Sequence, residues 1–183
     1  MLSIIAMAVR GVLLLSAAVV LGLSVTNAKH QVIGNPPAET SFGSFAGAFG
    51  VLVSLVGLAA LFIDKIPGFF VMAADALASI FFLAGGIALT LALKSVGSCT
   101  DNADIYQFYR FRNKLLNGGC QDIGNGKSVC GGGEITNNDL VARCQRAQAD
   151  YVFEYIGFIF GIAIIVLGWV LHKRGGNGTR SYV

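Results

Sequence analysis

Charge is scarce in this sequence. Only 13% of its 183 residues are Asp, Glu, Lys or Arg, about half of the roughly 25% usual for soluble domains. That deficit argues against a soluble fold. Histidine is nearly absent: His30 and His172 are the only two, and they fall at opposite ends of the spans described below, too far apart to share a metal. The sequence has no C-x-x-C pair, so neither a thioredoxin-like motif nor a zinc knuckle is supported. It also lacks H-E-x-x-H, a phosphate loop and a Ser-His-Asp set. No enzyme and no cofactor is expected. A net charge of +3, thinly spread, gives no reason to expect nucleic acid as a partner.

What is abundant is apolar sequence: 55% of the chain. It gathers into four runs, about 4–26, 43–63, 68–93 and 152–171, each near the roughly 20 residues that cross hydrocarbon. The expected fold is an all-α integral membrane protein, an antiparallel four-helix bundle over 1–172. Its outer loop runs over about 94–150 and its short basic tail over 173–183. A signal peptide is the competing reading of the first run, but the cleavage site at Thr26-Asn27-Ala28 is poor and Arg10 comes late. Asp64-Lys65-Ile66-Pro67 is a tight turn, so the second and third runs form a hairpin. Small residues recur at helical spacing, with Gly43, Gly47, Gly50 and Ser54 in the second run and Gly157 and Gly161 in the fourth. Such patterns let backbones approach closely. They predict contact faces without saying whether the partner is internal or a second copy.

All four cysteines, Cys99, Cys120, Cys130 and Cys144, lie in the loop between the third and fourth runs. Thiols confined to one loop suit an oxidising compartment, which places the loop outside and both termini in the cytosol. A raw count of basic residues favours the reverse, but the positive-inside rule weakens for loops near about 60 residues. On this topology the sequon at Asn177 is cytosolic and stays unmodified. Three pairings are open. The nested one, Cys99–Cys144 around Cys120–Cys130, is preferred because Cys99 and Cys144 sit just beyond neighbouring span ends.

Inside the loop, Ile105 to Leu116 reads as a short amphipathic helix. Either its apolar face packs on the tops of the spans, or it meets lipid or a partner through Phe108, Tyr109, Arg110, Arg112 and Lys114. Asn117 to Gly133 reads as a mobile, stapled flap. From about Asn138 the fourth helix is expected to start outside the membrane and run inward unbroken. Three ionisable residues fall within the runs. Glu154 lies a turn below the outer surface and is expected to reach water. Asp75 lies about 12 Å beyond Pro67, too deep to reach water with so short a side chain. Arg10 is at a compatible depth, so an Arg10–Asp75 pair joining the first and third spans is expected.

Two four-span families fail on their motifs. Cys130-Gly131 follows Val129 rather than a second cysteine, unlike tetraspanins, and 27–42 lacks the tryptophan and cysteines of claudins. Arg143-Cys144-Gln145-Arg146-Ala147-Gln148-Ala149, leading into an aromatic-rich fourth span, resembles the fungal MARVEL-domain four-transmembrane family, the group similar to non-classical export protein 2. Cys99, Arg10 and Asp75 resemble that family's partner cysteine and its basic and acidic positions. The loop is longer here, and Cys120 and Cys130 depart from the pattern. The resemblance implies a plasma-membrane protein that organises lateral membrane domains, associated with eisosomes and sphingolipid signalling. The implied partners are membrane lipids, with sphingolipid or sterol as candidates, and a homo-oligomer or a larger membrane protein. An accessory subunit of a transporter or pump is the alternative. A channel is disfavoured by the shortage of polar residues in the spans.

Overall fold

The computed structural model describes residues 2–63, 66–124, 128–131 and 135–174. Asp64 and Lys65 of the expected turn, the end of the flap at Gly132 and Gly133, and the tail from 175 with Asn177 lie outside the described residues. Five helices and one hairpin follow in order: α1 (Leu2–Lys29), α2 (Ala38–Ala60), α3 (Gly68–Leu93), α4 (Asp104–Arg112), β1 (Cys120–Asp122), β2 (Ser128–Cys130) and α5 (Asn137–Arg174). Four of the helices, α1, α2, α3 and α5, are long and apolar enough to cross a membrane.

Those four close into a ring in which α1 packs on α2 and α5, and α3 packs on α2 and α5. Glycine sets the approach of α1 and α2. A Cβ at Gly43 would collide with Ser24 Oγ, one at Gly47 would lie 2.6 Å from the Leu21 amide nitrogen, and one at Gly50 would lie 3.0 Å from the Ala17 methyl. The partners fall along α1 as the glycines rise along α2, so the pair is antiparallel. The glycines of α5 do the same against α3: Gly157 faces Phe82, and a Cβ at Gly161 would collide with Ser79 Oγ. Ser54 is also buried. Backbones this close gain dispersion and packing that lipid cannot supply. Both small-residue faces are therefore spent within the chain.

A second core caps the bundle at the loop end. Leu89, Leu93 and Val96 from α3 and the turn after it meet Leu115 and Leu116 of the loop and Leu140, Cys144 and Ala147 of α5. The start of α5 is fixed by a reciprocal cap. Thr136 Oγ1 accepts from the Asp139 amide at 3.3 Å, and Asp139 Oδ2 accepts from the Thr136 amide at 3.0 Å, which satisfies two otherwise orphaned donors. From there α5 runs unbroken for 38 residues. The glycine-rich stretch forms a two-stranded antiparallel hairpin with Cys120 opposite Cys130.

Candidate functional site: buried charge and the loop cap

Arg10 and Asp75 come together inside the ring. Arg10 Nη1 donates to Asp75 Oδ1 at 3.0 Å and Nη2 donates to Oδ2 at 2.8 Å. The residues are 1% and 3% exposed. The planar guanidinium matches both carboxylate oxygens, the strong bidentate form of such a pair. Gly57 makes the seat for it, since any Cβ there would collide with the guanidinium. The repeating small residues of α2 thus have a second use that their spacing alone did not reveal.

Glu154 departs from expectation. It does not reach water but is fully buried. Gly43 and Gly85 leave room for its carboxylate, which a Cβ at Gly85 would meet head-on. Asp150, one turn earlier on α5, is equally buried and accepts from Ser24 Oγ at 2.6 Å. Neither Glu154 oxygen has a hydrogen-bond partner among the described residues. Two helices stripped to hydrogen at the facing positions close over this side chain. The local sequence of α5 could not announce that.

Both disulfides form, Cys99–Cys144 with a Cα separation of 5.5 Å and Cys120–Cys130 at 3.9 Å. The first ties the end of α3 to α5, and the second staples the hairpin across its facing strands.

The short loop helix ends sooner than expected, at Arg112. Leu115 and Leu116 turn into the cap core. Ile105, Phe108 and Tyr109 stay exposed, and Arg112 and Lys114 are exposed with them. Arg110 must be taken out of that contact set. It is fully buried, with Nη1 donating to the carbonyls of Ser98, Cys99 and Asp101 at 3.0, 3.2 and 2.9 Å, and Nη2 to Asn137 Oδ1 at 3.0 Å. The chain folds back after α3, and its carbonyls need donors once water is excluded. Arg110 supplies them. A basic residue on a short polar helix gives no local sign of that role.

The α1–α2 connection is the other part that sequence reasoning missed. The amides of Val32 and Ile33 both donate to the Gly118 carbonyl, at 2.8 and 3.0 Å. Gly118 and Gly119 have φ of +71° and +86°, and a Cβ at Gly119 would collide with the Ile33 carbonyl. Only glycine fits such an approach in the left-handed region. Asn113 holds the far side, its Nδ2 donating to the Ala92 carbonyl at the end of α3 at 2.7 Å.

His30 joins this cap to α5. Its Nε2 lies 2.6 Å from Arg146 Nη1. A guanidinium can only donate, so Nε2 accepts and the ring is neutral. Burial, then the positive charges of Arg143 and Arg146, push its pKa below the usual 6.5, against the opposing pull of Asp139. The unfolded chain therefore takes up this proton more readily. The stability contributed is full above pH 6.5 and is lost as pH falls below it. Thermal unfolding between pH 8 and pH 5 should show a falling midpoint, and His30→Gln should reduce the slope.

The comparison with protein families decides the identity. The model of the MARVEL membrane-associating domain matches residues 3–167. This chain belongs to the MARVEL family. The match covers all four candidate spans but for the last few residues of α5, and the whole loop cap with them. MARVEL domains are membrane-associating and non-catalytic in type, so this is a multi-pass membrane protein. No curated protein and no solved structure matches the chain.

Proposed function

We propose that this MARVEL protein organises lateral domains of the plasma membrane through lipid contact, without catalysis. The observation that carries the reading is the contrast between inside and outside. The glycine faces and the Arg10–Asp75 pair are spent within the ring, while every spanning helix turns large apolar side chains outward, among them Leu15, Leu52, Ile80 and Ile159. A surface of this kind offers lipid its whole circumference. The two disulfides support placing the loop outside the cell and both ends in the cytosol, because such bonds persist in oxidising compartments. By resemblance to the fungal group similar to non-classical export protein 2, the domains are eisosome-associated and linked to sphingolipid.

Imaging of the tagged protein in living fungal cells tests this. Long-lived patches are expected, with other patch-resident proteins dispersing when the gene is deleted. Uniform, freely diffusing protein that co-purifies with one stoichiometric partner in mild detergent would overturn the reading in favour of an accessory subunit.

A further inference from the structure

A cavity of about 850 Å³ opens at the loop end of α2 and α3. The α1–α2 connection, the start of α2, the turn after α3 and the chain leaving α4 line it, and Glu39, Ser95, Arg112, Asn113 and Lys114 are among its polar groups. Ligand cavities run to about 300–1,000 Å³ and pair an apolar lining with a few placed polar groups. The charges here have both signs. Arg112 and Lys114 are exposed, and no carboxylate lies within ion-pair distance of either among the described residues. Arg112 rests 5.5 Å above the Phe108 ring. Glu39 stands on the first turn of α2.

An aromatic seam starts one turn below. Phe42 lies three residues beyond Glu39 and so shares its helix face. Phe45 and Phe49 continue that face inward. Phe81 of α3 meets all three, with ring centroids 6.1, 5.4 and 5.3 Å apart. Ala92, which lines the cavity, follows Phe81 on α3 by about three turns and comes back to the same side. Phe45 is 52% exposed, so the seam opens outward between α2 and α3. The molecule therefore carries a dipolar pocket directly above an apolar groove.

We infer that this pocket and groove bind one zwitterionic phospholipid, its phosphate held by Arg112 and Lys114, its ammonium by Glu39, and its chains laid along Phe42, Phe45, Phe49 and Phe81. The two cations complement a phosphodiester and the single carboxylate complements an amine. Neither a sterol nor a purely anionic lipid would use both signs. The inference names a ligand class for the lipid contact proposed above and rests on that reading.

Native mass spectrometry of the purified full chain, released from nanodiscs, tests it. The probes are dioleoyl phosphatidylcholine, dioleoyl phosphatidylglycerol, ergosterol and chain-free phosphocholine. One phosphatidylcholine should stay bound. Arg112→Gln/Lys114→Gln should weaken its retention about tenfold or more, since each lost charge-assisted bond is worth roughly that. Glu39→Gln should shift preference towards phosphatidylglycerol. All these positions are partly or fully exposed, and an unchanged melting temperature verifies that the variants are folded. Equal retention by parent and double variant would overturn the inference, as would ergosterol displacing phosphatidylcholine or phosphocholine binding as tightly as the whole lipid. Because retention is read on isolated protein, it can fail while patches persist in cells, or hold while they do not.

Discussion

Asp75→Asn should destabilise the protein by about 3–5 kcal/mol, the usual cost of leaving one member of a buried ion pair without its partner. The substitution keeps the shape of the side chain and removes only its charge. Arg10 would then hold a guanidinium, 1% exposed, against a neutral amide. It cannot discharge itself, since arginine stays protonated in proteins. Gly57, packed against the guanidinium, has no side chain to take the carboxylate's place. The double variant Arg10→Met/Asp75→Leu separates charge from packing. Apolar residues of similar volume often replace a buried pair at no net cost, so the double variant should recover most of the lost stability. Thermal unfolding of all three proteins in one lipid environment measures this. A single variant as stable as the parent would show that the pair does not hold α1 to α3.

Removing the Cys99–Cys144 bridge should be the next largest loss. The bond spans 45 residues of chain, and the chain-entropy model gives roughly 4 kcal/mol for a loop of that size. Both cysteines are also in the cap core, at 4% and 0% exposure. Cys99→Ser/Cys144→Ser therefore places two hydroxyls where apolar contact was made. The Cys120–Cys130 bridge spans only 10 residues, worth roughly 3 kcal/mol in the same model. It closes a local hairpin and joins no two helices. Limited proteolysis of the loop should follow that order: fast cleavage throughout without the outer bond, and cleavage confined to the hairpin without the inner one. The reverse order would mean that the cap is held by the hairpin and not by α3 and α5.

The two predictions draw on different kinds of information. Cysteine positions relative to span ends are a matter of counting, and so is the depth of a charge within an apolar run. Arg10, Asp75 and the nested bridges could be singled out on that basis. Arg110 and Glu154 could not. Each is a charged residue near a boundary, where reaching water is the cheaper outcome for an isolated helix. What buried them lies elsewhere in the chain: backbone carbonyls turned inward after α3 in one case, glycines on two other helices in the other. The headgroup cavity is of the same kind. Glu39, Ser95 and Lys114 stand far apart in sequence, and no periodicity links them.

By itself the sequence determined that there would be four apolar helices, that charge would be rare, and that small residues would line one face of α2 and of α5. Hydrocarbon demands helix and scarce charge of each segment separately, because every backbone polar group must be satisfied within it, and small residues mark where a neighbour can come close. The tertiary structure decided the rest. It chose the ring order, spent the glycine faces internally, set Arg10 over Gly57, and brought the α1–α2 connection against the loop to shape the cavity. Those outcomes depend on which surfaces fit together at close range, and fit belongs to pairs of helices, not to any one of them.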